Sequence, residues 1–104
     1  MLIVLGLVLT NSANADDYPL NASVKNQYDY ATQFLKFGNY RGAEDAFKKF
    51  LKINPKHKLS HHAQYWLAET FRIRQRYIDA AYNYLLGYQK YPKGPKAAIN
   101  LLRL

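Results

Sequence analysis

The sequence predicts an all-α fold built from paired helices, and three observations support this prediction. Two stretches, YDYATQF from Tyr28 and YWLAETF from Tyr65, carry Tyr, Ala and Phe at the same three places, 37 positions apart. Apolar residues in each stretch recur at spacings of three and four, as on one face of a helix. Residues that end helices follow at regular intervals. A period of this length is typical of stacked helical units.

The repeat extends through both helices of each unit. An offset of 37 superimposes small, aromatic and proline residues, which are the residues that packing constrains. The coinciding pairs are Gln27 and Gln64, Tyr28 and Tyr65, Ala31 and Ala68, Phe34 and Phe71, Tyr40 and Tyr77, Ala43 and Ala80, Phe47 and Tyr84, Pro55 and Pro92, Lys56 and Lys93, and Leu67 and Leu104.

Each unit is predicted to contain two amphipathic helices joined by a short turn. In the first unit Gly38 and Asn39 end the first helix, since glycine favours the left-handed conformation past a helix end, and Pro55 ends the second helix. The apolar stripes are Tyr28, Ala31, Phe34 and Leu35, then Tyr40, Ala43, Phe47, Phe50 and Leu51. In the second unit they are Tyr65, Leu67, Ala68 and Phe71, then Tyr77, Ala80, Ala81, Tyr84, Leu85 and Tyr88, ended by Pro92.

Four alanines are predicted to set the distance between the two helices of each unit. Ala31 and Ala68 lie on the first helices, and Ala43 and Ala80 lie on the second helices. A bulky side chain at any of these positions would separate the helices, at a cost of about 1–3 kcal/mol.

The first 15 residues have the form of a secretory signal peptide. An apolar run is followed by small residues and ends at Ala13-Asn14-Ala15, the A-x-A type of cleavage site, although no Lys or Arg precedes the run. A core helix and an uncleaved membrane anchor are the alternatives. We therefore divide the chain into a signal peptide (1–15), a short linker (16–23) and a repeat domain (24–104). The domain comprises one repeat at 24–57, a second at 58–94 and the start of a third at 95–104. We interpret this third repeat as truncated, in a fragment of a longer protein; alternatively, its helix serves as the cap.

Composition narrows the classes of function. The chain has 104 residues and a formal net charge of +8, and a basic protein can bind nucleic acid, anionic lipid or an acidic protein face. Export argues strongly against nucleic acid. The absence of cysteine excludes disulfides and thiolate chemistry. We find no catalytic triad, paired carboxylates or phosphate-binding loop, so we expect a protein that is not an enzyme, without cofactor or small-molecule substrate.

The repeat resembles the tetratricopeptide repeat (TPR), which implies a helical-hairpin solenoid with two full repeats and the start of a third. The period of 37 exceeds the family's period of about 34, and we place the extra residues in the linker 55–60. The residues that fit the family pattern are Ala31, Phe34, Tyr40, Ala43, Phe47 and Pro55, followed by Leu67, Ala68, Phe71, Tyr77, Ala80, Tyr84 and Pro92.

A closer resemblance is to the C-terminal repeat domain of the periplasmic family called YbgF or CpoB. The segments AFKKFL (46–51), AQYWLAE (63–69) and YPKGPKAAINLLRL (91–104) carry it. The resemblance implies a periplasmic adaptor of the Tol-Pal system, with a TolA-like envelope protein as partner and a role in cell division and envelope constriction. The family's trimerising coiled coil has no counterpart in 16–23, so the oligomeric state stays open. An outer-membrane assembly component and the repeat region of a larger secreted cell-wall enzyme are the alternatives.

The family geometry also implies a partner-binding concave face lined by the first helices. It would comprise Lys25, Tyr28, Thr32, Leu35 and Lys36 in the first unit and His62, Tyr65, Glu69, Arg72 and Ile73 in the second. A groove with a Tyr and a polar residue four positions on, repeated twice, suits an extended or helical segment. Alternatively, Tyr28 and Tyr65 only pack between units.

Two further clusters invite a functional interpretation. His57, His61 and His62 suggest a metal site, but they follow Pro55 in a linker without a nearby carboxylate, so we expect no metal there. Arg72, Arg74 and Arg76 surround the second turn and either meet an acidic partner or form a solvated turn, and we favour the turn.

Overall fold

The structure, a computed structural model, describes residues 17–94, and this part of the chain is all-α. Its four helices are α1 (Val24–Lys36), α2 (Tyr40–Ile53), α3 (Ser60–Ile73) and α4 (Tyr77–Lys90), without a strand between 17 and 94. The all-α prediction is confirmed. The predicted signal peptide (1–15) and the predicted start of a third repeat (95–104) lie outside the described residues. None of the described helices is both long and apolar enough to cross a membrane.

The turns within the two helix pairs have the same backbone geometry. Gly38 after α1 and Gln75 after α3 both have a left-handed φ, of 73° and 64° respectively, and they lie 37 positions apart. The next amide donates back to the helix in each case, from Asn39 to the Phe34 carbonyl (2.8 Å) and from Arg76 to the Phe71 carbonyl (2.9 Å). Such a bond, together with the left-handed residue, is the usual way to end a helix on a tight turn.

Polar side chains cap the two helices of the first unit. The Ser23 hydroxyl accepts from the Asn26 amide (3.1 Å), and the Asn39 side chain accepts from the Gly42 amide (2.9 Å). Each bond satisfies an amide that has no partner inside its own helix. The starts of α1 and α2 are therefore fixed by local sequence.

The core follows the order of the chain, since α1 packs against α2, α2 against α3 and α3 against α4. All four alanines that were predicted to set the helix spacing are buried. Large side chains fill the space around them. The buried apolar core includes Ala31, Ala43, Ala46, Phe47, Phe50, Ala63, Leu67, Ala68, Phe71, Ala80 and Tyr84.

The apolar stripe predicted for α4 is only partly buried, which corrects the sequence-based expectation. Ala80 and Tyr84 are buried against α3, but Tyr77 is 61% exposed, and Leu85 and Tyr88 are each 39% exposed. The difference arises because α3 is the main neighbour of α4 within the described residues and covers one side only.

The segment before α1 folds back onto that helix, although the sequence predicted only a linker. Tyr18 is buried, and its hydroxyl donates to the Gln27 side-chain oxygen (3.1 Å). Its ring meets the Tyr30 ring edge-on at 5.5 Å between centroids. Burial raises the pKa of Tyr18 to about 12, and the neighbouring Tyr30 adds to the effect. Residues 17–23 are thus part of the packed structure.

Candidate functional site

A depression between α1 and α3 collects four of the predicted partner-binding residues. Tyr28, Thr32, Leu35 and Lys36 line it from α1, and Trp66 lines it from α3. Its volume is about 520 Å³. The four α1 residues share one helix face because they lie three or four positions apart. We call this depression the α1–α3 groove.

Tyr28 forms one wall of the groove, and its ring is held in place by packing against α2. Its ring packs edge-on against Phe47 (6.0 Å between centroids) and Phe50 (5.8 Å), both on α2. Burial raises the pKa of Tyr28, and a hydrogen bond with the Trp66 side chain acts in the opposite direction. Tyr28 therefore packs against α2 within its own unit and lines the groove at the same time.

The other α1 side chains give the groove a mixed character. Leu35 is half-buried and apolar, and Lys36 is exposed near the end of the helix. The Thr32 hydroxyl donates to the Asp29 carbonyl at 2.9 Å, and Thr32 also lines the groove. Lys25 lies exposed one turn before Tyr28 and is paired with Asp29 at 2.6 Å. An aromatic and aliphatic floor with a cation at its edge suits a peptide segment.

The residues predicted from the second unit do not form an equivalent surface. Tyr65 and Glu69 are buried. Glu69 accepts from the Arg72 guanidinium (2.7 and 3.1 Å) and from the Tyr84 hydroxyl. Its carboxylate is thus engaged between α3 and α4. His62 is half-exposed and Ile73 is 40% exposed.

The contacts of Glu69 fix the charge of its neighbours. Burial, then the hydrogen bond to Glu69, raises the pKa of Tyr84. The hydrogen bond to Glu69 also raises the pKa of Arg72, which stays protonated. The neutral Tyr84 phenol and the Arg72 guanidinium therefore both donate hydrogen bonds to the Glu69 carboxylate. This arrangement stabilises the second helix pair.

The arginines around the second turn each have an acidic partner within the chain. Arg74 pairs with Glu44 at 2.6 Å, and Arg76 pairs with Asp79 at 2.7 Å. Both guanidinium groups also lie over the Phe71 ring, at 5.2 and 5.3 Å from its centroid. These contacts favour the interpretation as a structural turn over that of a docking site for an acidic partner.

The histidine cluster does not assemble into a metal centre in the described part of the chain. Across residues 17–94, no group of three His, Asp or Glu side chains could hold a metal ion. His61 and His62 stack with their ring centroids 3.8 Å apart. His57 instead accepts the Leu59 amide through Nδ1 at 3.0 Å, which shapes the linker.

Sequence reasoning missed Trp66, which supplies the second wall of the groove. The 37-residue offset places it opposite Asp29 rather than opposite a predicted groove residue. Its half-exposed indole, next to the buried Tyr65 ring (5.2 Å between centroids), is visible only in the structure. The tryptophan itself was the one signal available in the sequence, since tryptophan is enriched in protein interfaces.

Comparisons with protein-family models, curated proteins and solved structures give no match to this chain.

Proposed function

We propose that this chain is a TPR-type adaptor that binds a protein partner and has no catalytic activity of its own. Three features support the repeat arrangement: helices that pack in chain order, buried alanines at positions 37 apart, and matching left-handed turns at Gly38 and Gln75. In such a solenoid neighbouring units create a continuous surface for an extended partner.

The proposal rests mainly on the α1–α3 groove. This groove joins side chains of two successive units, since Tyr28 belongs to the first and Trp66 to the second. Aromatic side chains provide much contact area at a small cost in conformational entropy, and they recur at the centres of protein interfaces. The partner is an extended or helical segment whose apolar side chain enters between these two rings.

The sequence resemblance supplies the biological setting of the proposal. The YWLAE segment around Trp66 and the AFKKFL segment of α2 resemble the YbgF/CpoB family. The hydrophobic leader supports export to the periplasm. We therefore propose a TolA-like envelope protein as the partner and Tol-Pal-linked coordination of cell division and envelope constriction as the role.

A calorimetric titration tests the proposal. The protein is titrated with the soluble periplasmic part of TolA, and the variant Thr32→Arg is titrated in parallel. The arginine fills the groove from its exposed side and spares the Tyr28 packing. We expect saturable binding by the unmodified protein and a loss of at least about tenfold in affinity, or 1.4 kcal/mol, for the variant.

The matched control is Lys56→Arg, a change in the exposed linker that keeps the charge. It should bind like the unmodified protein. Binding that survives Thr32→Arg would move the site away from the α1–α3 groove. Absence of binding at about 100 μM would remove TolA as the partner.

A further inference from the structure

A second concave surface lies on the first helix pair and shares no lining residue with the α1–α3 groove. It is a cavity of about 440 Å³ between α1, α2 and the segment before α1. Its apolar wall consists of Tyr18, Tyr30, Phe34 and Ala46, and its other lining residues are Gly42, Asp45, Lys48, Lys49 and Lys52. We call it the end-face cavity.

The apolar wall is rigid and aromatic. Tyr30 stands between Tyr18 and Phe34, and all three rings meet edge-on, with centroids 5.5 and 5.2 Å apart. Tyr30 and Phe34 are half-buried. A second depression, of about 380 Å³, is also lined by Tyr30 and Phe34. These two rings therefore border two depressions of the surface.

The internal repeat indicates what covers such a surface. The 37-residue offset places Tyr30 on Leu67 and Phe34 on Phe71, and both of these second-unit residues are 4% exposed. Phe71 lies under the preceding helix α2, with the Lys48 ammonium 5.6 Å from its ring centroid. In the second unit this surface is thus covered by an amphipathic helix. In the first unit the described residues cover it only in part, through Tyr18.

The charged residues at the rim of the end-face cavity indicate what kind of partner helix would fit. Lys48, Lys49 and Lys52 of α2 border the cavity, together with the carboxylate of Asp45. Lys48 is paired with Glu44, so Lys49 and Lys52 supply the charge available to a ligand. Lys52 is exposed, and Lys49 is half-exposed. The whole chain carries a net charge of +8, so its long-range field also favours an acidic ligand. Complementary charge would orient the helix and raise its rate of association.

We propose that the end-face cavity binds an acidic amphipathic helix of a partner protein. The apolar side of that helix lies on Tyr30 and Phe34, and its carboxylates lie against Lys49 and Lys52. This inference goes beyond the proposed function, because it concerns a different surface with different residues.

The test uses the full chain and a synthetic helical peptide of about 18 residues with leucines at every third or fourth position and glutamates elsewhere. Binding is followed by NMR amide shifts. We expect saturable shifts that centre on Tyr30, Phe34 and Ala46. We expect the double variant K49E/K52E to weaken binding at least about tenfold, because both rim charges are reversed.

Two controls separate this site from general charge effects. The variant K56E/K93E reverses two other exposed lysines, has the same net charge as K49E/K52E and should change affinity less than about twofold. A peptide with lysine in place of glutamate should not bind. If K49E/K52E loses its helical circular dichroism, K52E alone replaces it, and a loss of at least about threefold is expected.

Three results would overturn the proposal. One is the absence of saturable binding by the acidic peptide. Another is a set of shifts that centres on Tyr28 and Trp66, since the peptide would then occupy the α1–α3 groove. The third is concentration-dependent self-association by sedimentation that K49E/K52E abolishes, since a second copy would then be the occupant. None of these results depends on whether TolA binds.

Discussion

Arg74 donates a hydrogen bond to Glu44 at 2.6 Å and so joins the second helix pair to the first. Glu44 is buried on α2 and also accepts from Lys48 at 2.5 Å. Arg74 is held in turn by the Thr70 carbonyl (2.9 Å) and the Phe71 ring. A buried carboxylate with two cationic partners thus forms a polar contact between the two units.

We predict that Glu44→Ala destabilises the protein by about 2 kcal/mol, because it removes two charge-assisted hydrogen bonds and leaves Arg74 without its acidic partner. Urea denaturation monitored by circular dichroism measures the free energy of unfolding. Asp45→Ala, an exposed change one position on, should cost less than about 0.5 kcal/mol. Equal losses for both variants would contradict a special role for Glu44.

The same contact predicts a dependence of stability on pH. Burial alone would raise the pKa of Glu44, but the hydrogen bonds and charges of Lys48 and Arg74 outweigh it and lower the pKa below the ordinary value of 4.5. The contribution is therefore complete above that value. It is lost as pH falls through the lower pKa of the folded state, because the unfolded chain takes up the proton first.

We expect the stability difference between the unmodified protein and Glu44→Gln to shrink from about pH 7 to about pH 3. Urea denaturation of both proteins across this range measures it. A difference that stays constant over the whole range would mean that Glu44 titrates alike in the folded and unfolded states.

Both turns contain a residue with a left-handed φ. Replacing glycine at one turn and introducing glycine at the other should therefore have opposite effects on stability. Gly38→Ala should destabilise by about 1 kcal/mol, although the site has space for a methyl group, because φ is 73°. Gln75→Gly should stabilise by roughly 0.5 kcal/mol, since relief of backbone strain exceeds the entropy that glycine adds to the unfolded chain. Thermal unfolding of both variants gives the two signs. Effects of the same sign would contradict the shared turn geometry.

The buried alanines predict that added volume is costly at the helix contacts. Ala68→Leu should destabilise by about 2 kcal/mol, because Ala68 is fully buried between α3 and its neighbours. The matched control is Ala81→Leu on α4, a half-exposed position that should tolerate the change within about 0.5 kcal/mol. The free energy of unfolding in urea measures both. If Ala68→Leu left the free energy of unfolding unchanged, the helices would not be in close contact at this position.

Local chemistry explains why the sequence predicted the helices so well. Residues such as Gly38 and Pro55 end helices through their own backbone preferences. The spacing of apolar residues within a helix, such as Ala43 and Phe47 on α2, indicates which face of that helix is buried. The sequence therefore contained the number, order and approximate bounds of the helices in residues 17–94.

The surfaces proposed to bind partners were harder to predict, because side chains at equivalent positions make different tertiary contacts. Thr32 lines the α1–α3 groove, whereas Glu69, its equivalent, is buried under Arg72 and Tyr84. The 37-residue offset could not show this difference in burial. The carboxylate of Glu69 forms hydrogen bonds with Arg72 and Tyr84 inside the protein. Trp66 was overlooked for the same reason, as its role depends on the approach of α3 to α1.

Trp66, the single tryptophan of the chain, gives a direct test of whether a protein partner binds the α1–α3 groove. Labelling with 5-fluorotryptophan gives a fluorine NMR signal from one wall of the groove. Addition of the soluble periplasmic part of TolA should shift this signal in a saturable way, and the shift should disappear in Thr32→Arg. Binding detected by calorimetry with an unchanged fluorine signal would contradict binding at this groove.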